Sequence, residues 1–507
     1  MRLLWFLLAA FLRLARSLRP NVKRLPAYHT DLDEETKPPK PVLRQLSVNV
    51  EVPTSPDAHR VHSLPLFDDT ENFPLSWAGH LPASADGTKY LFYWLFAPEG
   101  DEAVDADAPL VLWLNGGPGT SSMVGLFVEN GPFQFVLDPA SGHYSLQRRD
   151  YSWHKAPAYV LYLDQPVGTG YSFTTRDDNY PQSNRECGID VHYFLQQFFQ
   201  LHADKFVVRN KNGHGQPMTK DFYVTGESHA GQYIPAIMAY ILERNDQSPD
   251  IYINLKAGAI GNGSTDPYWQ WNTGVAAYGH GMLGIQHLQW LTAQEQICQA
   301  NLDSGSCDSC FDWYKVIDNV LGHYRHGTNY RAVMYDIRKA KGPGLPSYPP
   351  YEDVLKVYLR GADGFGNIGT VSKQVVHALN AGVLLDVYEG EYFGGGLDEL
   401  RDALDEEWVE IKHGAIEHVQ YVLQHENVRL LFYNGVYDLA CDHVGNELFL
   451  SNMEWKYQKE WLEATRYAWI AESEKPGAVS GYIKEYANLG FLKGTWWMFA
   501  WVVHAPA

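Results

Sequence analysis

Positive charge is scarce in this chain of 507 residues, which has 40 lysines and arginines against 60 aspartates and glutamates, a formal net charge of -20. No cluster of basic residues occurs after the first 24 positions. Because a nucleic-acid-binding protein usually needs a basic face, we expect no nucleic-acid partner. The acidity suits an acidic compartment, although many soluble enzymes carry such a charge for solubility alone.

Long hydrophobic runs are scarce as well. The clearest one, Leu3–Leu12, is about half of the ~20 residues that a membrane-spanning helix needs. Arg2 precedes this run, and the small residues Ala15 and Ser17 follow it, which predicts a cleaved signal peptide over residues 1–17. A short signal anchor is the alternative. We therefore expect a protein of the secretory pathway, secreted or lysosomal/vacuolar, with no stable membrane span.

Cysteine is rare, with five residues in the chain. A secretory address implies an oxidising compartment, and an odd count leaves at least one thiol without a disulfide. Cys307 and Cys310 have the C-x-x-C spacing of zinc or redox sites, but no second such pair completes a metal set. The sequence therefore predicts no metal site, and a local disulfide that involves Cys298.

Short apolar runs rich in aromatic and β-branched residues recur from Tyr90 onward, and helical stretches lie between several of them. Most runs are followed at once by Gly, Asn or Asp, as buried parallel strands often are. This alternation predicts an α/β fold in which helices enclose a mostly parallel sheet. The runs are Tyr90–Phe96, Leu110–Leu114, Tyr159–Leu163, Phe222–Thr225 and Leu430–Tyr433, and the helical stretches include Val191–Phe206 and Gln232–Arg244.

Two other segments break this alternation. Residues 18–60 are polar and proline-rich, which is typical of a propeptide or a flexible lead-in. Residues 268–368 carry three cysteines and loops rich in Gly, Pro and Tyr, and we interpret them as an inserted cap. The predicted core then consists of residues 61–267 and 369–493, and residues 494–507 form an atypical tail.

The sharpest motif is GESHAG at 226–231, which follows the run Phe222–Thr225 directly and precedes a helical stretch. It is close to G-x-S-x-G, with Ala230 at the second Gly position. A strained strand-to-helix turn needs small neighbours, and it places the hydroxyl of Ser228 at a helix N-terminus. A lone Gly-Ser turn would be an ordinary loop, but the flanking strand and helix favour a nucleophile.

A glycine-rich segment, NGGPG at 115–119, follows another apolar run. Adjacent glycines let backbone N–H groups point at a developing oxyanion. The bland alternative is an ordinary turn. A phosphate-binding loop is excluded because the Walker A motif needs a lysine after its last glycine.

Several longer segments complete the set: WLNGGPGTSS at 113–122, GLFVENGPF at 125–133, LDQPVGTGYSF at 163–173, DFYVTGESHAGQYIP at 221–235, INLKAGAIGNGSTDP at 253–267 and YNGVYDLACDHVGNE at 433–447. Together they resemble the serine carboxypeptidases of the carboxypeptidase Y-like type, most closely the vitellogenic-like branch. The resemblance runs from about residue 63 to residue 492 and is weakest in the cap. It implies an α/β-hydrolase fold without cofactor, with Ser228 as the nucleophile and the N–H groups of Gly117 and His229 as the oxyanion hole.

The resemblance also implies a site for the free carboxylate of a peptide C-terminus, formed by Asn115, Gly116, Glu129 and Glu227. Two carboxyls held close together cannot both ionise, so the pKa of one rises. The protonated carboxyl then donates a hydrogen bond to the substrate. Ionisation of the pair at higher pH repels the substrate carboxylate, so we expect activity to favour acid pH. Without the resemblance, a helix-capping acid and a solvated surface acid would be the simpler interpretations.

The acid of the triad is expected after the apolar run Leu430–Tyr433, because an α/β-hydrolase has the order Ser, Asp or Glu, His. The resemblance assigns it to Asp438 in the loop NGVYD at 434–438, and Asp442 is a less favoured alternative. A turn-capping role is the bland interpretation of both.

The general base is where the sequence departs from the family. Members of the family continue from a segment like 481–492 into a Gly-His motif, which is absent from residues 494–507, where His504 is the only histidine. His504 comes about five residues late, and such a slip in a strand moves a side chain by ~16 Å and reverses its face. We interpret the tail as foreign, from a read-through intron or a wrongly assigned last exon. A bulge or loop that brings His504 into place, and a true pseudoenzyme, are the alternatives.

The sequence thus predicts a serine-type carboxypeptidase that releases C-terminal residues from peptides through an acyl-enzyme at acid pH. Its expected partners are the C-termini of peptides or proteins. The alternatives are a catalytically impaired protein of the same fold, which would bind peptides without turnover, and an acyltransferase on the same scaffold, which would transfer an acyl group from an ester.

Overall fold

The structure, a computed structural model, describes most of the chain between residues 50 and 495. The predicted signal peptide, most of the predicted lead-in, and the tail from residue 496, with His504, lie outside the described residues. The described residues are 50, 52–99, 108–176, 179–208, 216–247, 249–304, 331–342, 352–361, 367, 369–387, 393–394, 397, 400, 414–470 and 478–495.

The described strands form one large sheet and three two-stranded sheets. They are β1 (Arg60–Val61), β2 (Ser76–Pro82), β3 (Lys89–Phe96), β4 (Leu110–Leu114), β5 (Phe133–Leu137), β6 (Tyr144–Arg148), β7 (Tyr159–Leu163), β8 (Phe173–Thr174), β9 (Gln216–Pro217), β10 (Phe222–Glu227), β11 (Ile251–Tyr252), β12 (Leu255–Gly261), β13 (Arg331–Val333), β14 (Asp336–Lys341), β15 (Arg429–Gly435), β16 (Tyr467–Trp469), β17 (Gly481–Tyr486) and β18 (Leu489–Gly494). The large sheet has the order β1-β2-β3-β7-β4-β10-β12-β15-β18-β17-β16, with β8 paired to β3.

The centre of the large sheet is parallel. Strands β7, β4, β10, β12, β15 and β18 run in one direction, and the strands outside them pair antiparallel. Every residue of β4 and β7 is buried, as expected for parallel strands covered on both faces. This confirms the predicted α/β class with a mostly parallel sheet.

Strand β3 is the exception among the predicted strands. The sequence groups Tyr90–Phe96 with the parallel strands, but β3 pairs antiparallel with both β2 and β7. All eight of its residues are buried, so its uninterrupted apolar pattern reports burial on both faces and not strand direction. Successive side chains point to opposite faces: Tyr93 belongs to one core cluster and Trp94 to the other.

Helices cover both faces of the sheet. They are α1 (Asn184–Leu201), α2 (Ala203–Phe206), α3 (Ala230–Asn245), α4 (Pro267–Gln270), α5 (Gly274–Gly279), α6 (Ile285–Asp303), α7 (Glu352–Arg360), α8 (Ser372–Ala378), α9 (Leu384–Val387), α10 (Ile416–Gln424), α11 (His443–Asn452) and α12 (Gln458–Glu463), with a π-helix at Gly125–Glu129 and 3-10 turns at Pro56–His59, Thr70–Asn72 and Trp153–Lys155. Helix α1 begins before the predicted Val191 because Ser183 caps it: its Oγ accepts a hydrogen bond from the N–H of Glu186 at 3.1 Å. None of these described helices is long and apolar enough to cross a bilayer.

The predicted cap, residues 268–368, contains α5, α6, α7 and the β13–β14 hairpin in its described parts. The hairpin holds the loop that follows β15: the N–H of Ile337 donates to the carbonyl of Tyr437 at 3.0 Å, and the N–H of Leu439 donates to the carbonyl of Met334 at 2.8 Å. Cys298 on α6 is disulfide-bonded, as predicted, whereas Cys307 and Cys310 lie outside the described residues.

The end of the predicted lead-in already packs on the core. His59 is buried, its Nδ1 lies 3.0 Å from Tyr93 Oη, and its ring occupies the space where a side chain on Gly79 would lie. The domain boundaries of the chain stay predictions.

Candidate active site

Ser228 lies at the turn between β10 and α3. Its φ is 58°, a left-handed conformation that is unfavourable for a residue with a side chain and that recurs at functional turns. The carbonyl of Ser228 accepts hydrogen bonds from the N–H groups of Gly231 and Ser264, both at 2.9 Å, and its N–H donates to Gly261 at 3.0 Å. The strained turn is therefore fixed from both sides.

The neighbours of Ser228 are small because the turn is crowded. A Cβ on Gly226 would collide with the carbonyl of Leu114 on the adjacent strand, and one on Gly231 would lie 2.9 Å from the backbone N of Ser264. Both obstacles are backbone atoms, which cannot move aside as a side chain could. The strand-turn-helix geometry thus accounts for the G-x-S-x-A-G pattern.

The glycine-rich segment after β4 packs directly against this turn. A Cβ on Gly116 would meet the backbone N of His229, and would lie 2.8 Å from both the Glu227 carbonyl and Ser228 Cβ. Gly117 follows with φ 110°, which a residue with a side chain rarely adopts. Gly116, Gly117, Ser228 and His229, which the sequence assigns to the site, are therefore close together.

The two predicted acids meet on a single amide. The Nδ2 of Asn115 donates to Glu129 Oε1 and to Glu227 Oε1, each at 3.1 Å. The Oδ1 of Asn115 accepts from Trp113 Nε1 at 2.8 Å and from the N–H of Gly125 at 3.0 Å, which fixes the orientation of the amide. Trp113 is a residue of this network that sequence reasoning did not assign, although it opens the quoted motif.

Burial raises the pKa of Glu227 well above its usual range, and the negative charge of Glu129 and their mutual hydrogen bond add to the effect. The charge of Asp438 contributes in the same direction, and the Asn115 hydrogen bond opposes it. Both glutamates are almost completely buried. The pair therefore binds a proton at acid pH, as two adjacent buried carboxyls must.

Asp438 is fully buried in the loop after β15. Its carboxylate accepts hydrogen bonds from the N–H groups of Ala440 at 2.9 Å and Cys441 at 3.0 Å, and from Asn262 Nδ2 at 3.0 Å. The alternative acid, Asp442, instead caps helix α11 by accepting from the N–H groups of the helix's first turn. Burial raises the pKa of Asp438 to about 7, and these hydrogen bonds oppose that rise.

Asn262 is a residue of the site that sequence reasoning did not identify. It has φ 38° and is 1% exposed, its Nδ2 reaches the Asp438 carboxylate and the carbonyl of Cys441 at 3.2 Å, and its Oδ1 accepts from the N–H of Gly435 at 2.9 Å. The sequence singles it out only as the Asn of an N-x-S glycosylation signal. The burial of Asn262 argues against glycosylation at this signal, because an acceptor asparagine must be exposed at the surface.

We predict that Asn262→Ala lowers kcat of the peptidase by about tenfold to a hundredfold, the range of a hydrogen bond to a charged group, with a smaller change in KM. Asn488→Ala is the matched control, because Asn488 is also buried and its amide also has three acceptors, but these are all backbone carbonyls and the residue lies before the opposite end of β18. Steady-state kinetics and melting temperatures of both variants check this. Equal losses of kcat in the two variants would contradict it.

The base is not among the described residues that contact Asp438, whose partners there are Asn262, Ala440 and Cys441. His504 lies outside the described residues. Strand β18 ends beside the loop 434–438 that carries Asp438, which we call the acid loop. Gly494 pairs with Gly435, and the carbonyl of Gly494 accepts a hydrogen bond from the N–H of Val436 at 3.0 Å. The chain therefore leaves the sheet next to Asp438. No group of three or more His, Cys, Asp or Glu within the described residues is arranged to hold a metal.

A mostly parallel sheet with a serine at a strained strand-to-helix turn, and an aspartate after a later strand, defines an α/β-hydrolase. The sequence model described as "Serine carboxypeptidase" matches residues 65–494. The chain belongs to the serine carboxypeptidase family.

Individual relatives agree with this assignment. The chain is 31% identical over 449 residues to "Serine carboxypeptidase S10 family member 2" of Dictyostelium discoideum, covering 87% of this chain and 72% of the relative. It is 31% identical over 428 residues to "Serine carboxypeptidase-like 48" of Arabidopsis thaliana, covering 82% and 72%. The prohormone-processing carboxypeptidase KEX1(delta)p from Saccharomyces cerevisiae has the same fold, with a TM-score of 0.61 at 23% identity over 87% of this chain and 91% of that one.

Proposed function

We propose that this protein releases C-terminal residues from peptides at acid pH through an acyl-enzyme on Ser228. The observation that carries the proposal is the buried Glu129–Asn115–Glu227 cluster, which lies beside the strained turn of Ser228. A hydrolase of ester or internal amide bonds has no use for two buried acids at this place. A peptidase that must recognise a free terminal carboxylate does.

In the proposed reaction, Ser228 Oγ attacks the carbonyl of the last peptide bond while its proton passes to the base. The N–H groups of Gly117 and His229 donate to the oxyanion of the tetrahedral intermediate. The C–N bond then breaks as the base returns the proton to the departing amino acid. Water attacks the resulting ester by the same route and regenerates Ser228.

In place of the foreign-tail interpretation, we propose that the base comes from the segment after Thr495, where His504 is the only histidine. Asp438 would orient it and stabilise its charged form. Support comes from the point at which the chain leaves the sheet, next to the acid loop. The nine residues from Thr495 to His504 can span up to ~30 Å when extended. The register argument against His504 applies only to a strand that continues beyond Gly494.

The pH dependence of substrate binding follows from Glu227. Below its raised pKa, Glu227 is protonated and donates to the substrate carboxylate; above it, the donor is lost and a second negative charge appears. We predict that kcat/KM for an N-blocked dipeptide falls by about tenfold per pH unit once the pair has ionised. The same dipeptide with a C-terminal amide lacks the carboxylate, so kcat/KM for its cleavage should not show this fall with rising pH. A ratio of the two rates that stays constant with pH would contradict the prediction.

A peptide-binding protein without turnover is the second candidate, favoured by the lack of a histidine among the described partners of Asp438. The carboxylate cluster does not depend on the base, so such a protein would still bind C-termini. Calorimetry with an N-blocked dipeptide, run beside an assay for free amino acid, separates the two functions.

We also propose that the protein passes through the secretory pathway after removal of residues 1–17, with secretion or a lysosomal or vacuolar compartment as its destination. The disulfide at Cys298 supports this, since disulfides persist in oxidising compartments. The mass of the N-terminal peptide of the protein purified from eukaryotic cells tests the cleavage.

A further inference from the structure

A buried arginine, Arg149, binds the backbone of the segment that carries Glu129. Arg149 follows β6 and is 8% exposed. Its Nη2 donates to the carbonyl of Phe127 at 2.6 Å and to that of Phe133 at 2.8 Å, and its Nη1 donates to the carbonyl of Val128 at 3.3 Å. Within the part of the chain that the structure describes, no carboxylate forms a direct ion pair with it.

The carbonyls of Phe127 and Val128 belong to the element that carries Glu129. This π-helix, Gly125–Glu129, is followed by Asn130 as its C-cap, and the last carbonyls of a helix have no partner inside it. Arg149 binds the carbonyls of the two residues before Glu129 and joins them to the start of β5. Tyr162 Oη fixes the next residue by donating to Asn130 Oδ1 at 2.7 Å. The direction in which Glu129 leaves the helix is therefore set by Arg149.

The charge of Arg149 acts on one acid of the pair, Glu129, more than on the other, Glu227. Among the described carboxyl groups, Glu129 and Asp438 are the negative charges that act on Glu227, whereas Glu129 is the carboxylate that acts on Arg149. Tyr162, Tyr433 and Cys441 also face the cluster, and burial raises the pKa of each well above its usual value, so they remain uncharged. Arg149 is the cation that favours an ionised Glu129.

We propose that Arg149 is a positioning residue for the carboxylate-binding site, which aims Glu129 at Asn115 and keeps the negative charge of the pair on Glu129, so that Glu227 holds the proton that is donated to the substrate. The proposal rests on the proposed function, and it names the residue that sets the pH range of that site.

The test measures binding, so that it does not depend on the base. In a Ser228→Ala background, the affinity for an N-blocked dipeptide is measured by calorimetry from about pH 4 to pH 8, with the C-terminal amide of the same dipeptide as the reference ligand. The variants are Arg149→Gln, which removes the charge, and Arg149→Lys, which keeps the charge but offers one nitrogen in place of the two that Arg149 uses for these carbonyls. Arg148→Gln is the matched control, because Arg148 is the adjacent arginine and pairs with Glu99 at the surface.

Arg149→Gln is expected to move the pH at which affinity is lost upward by about one unit, because a carboxyl without a nearby cation ionises less readily. Arg149→Lys should keep the midpoint of the parent and bind about tenfold more weakly at every pH. Arg148→Gln should match the parent both in the pH midpoint and in the affinity. An unchanged midpoint in Arg149→Gln overturns the charge assignment, and an unchanged affinity in Arg149→Lys overturns the positioning role.

A second measurement leaves Arg149 in place, in case its variants do not fold. Glu227→Gln should abolish the pH dependence of binding, since a neutral donor then stands at that position, and Glu129→Gln should retain it. The reverse pattern overturns the proposal. Failure of the parent to bind the free carboxylate better than the amide would overturn the proposed function itself, and the inference with it.

Discussion

The Ser228→Ala variant is expected to release C-terminal amino acids about 10⁵-fold to 10⁶-fold more slowly than the parent. Without the hydroxyl no acyl-enzyme forms, and the remaining amides and carboxyls can only hold the substrate near water. Binding should survive, because the hydrogen bonds that join Asn115 to Glu129 and Glu227 do not involve the lost atom. Initial rates of amino acid release from N-blocked dipeptides, together with calorimetry, check both parts.

The matched control is Ser76→Ala on β2. Ser76 is fully buried, as are most residues of β2, and its hydroxyl has no hydrogen-bond partner among the described residues. Its removal should leave turnover and the melting temperature close to those of the parent. Comparable turnover in the Ser228→Ala variant and the parent would show that another residue is the nucleophile.

Gly116→Ala is expected to lower kcat/KM by about 10²-fold to 10³-fold, the range for loss of an oxyanion donor. The added methyl group would press on the backbone N of His229 and on the carbonyl of Glu227. Because these are backbone atoms of the strained turn, the glycine-rich loop and the turn must separate. The proposed oxyanion donors, the amides of Gly117 and His229, would then no longer converge on one oxygen.

Gly279→Ala is the control for this glycine. Nothing lies within 4 Å of a Cβ at that position, so a methyl group fits without displacement. Gly279→Ala is expected to keep the melting temperature and activity of the parent, whereas Gly116→Ala should remain folded with a lower melting temperature and lose activity. Full activity of Gly116→Ala would mean that the loop is not held against the turn as the structure places it.

The sequence pattern was sufficient to predict the structure where all the residues involved are contiguous in the chain. The strand Phe222–Thr225, the small residues around Ser228 and the helix after it are contiguous, and the structure has β10, the turn and α3 in this order. The parallel strands were predictable because burial on both faces leaves an uninterrupted apolar run. The same pattern could not reveal that β3 is antiparallel, since burial does not depend on direction.

Residues whose partners are distant in sequence escaped prediction. Asn262 bonds to a carboxylate 176 positions later, and Arg149 binds carbonyls around the helix of Glu129. Arg149 has no neighbour in sequence that hints at its role. Asn262 lies in the quoted segment 253–267, but nothing in that segment shows that its amide donates to Asp438. Trp113 lies inside a quoted motif, but only the fold shows that its indole holds Asn115.

The most direct test of the account is the release of free amino acid at about pH 5 from a panel of N-blocked dipeptides, using this chain as its sequence stands. Ser228→Ala and His504→Ala are assayed beside it, with melting curves to establish that all three are folded. The account predicts turnover by the parent, lost in both variants. A folded parent that binds the dipeptides but releases no amino acid would contradict it, and would make this chain a peptide-binding member of the family that lacks its base.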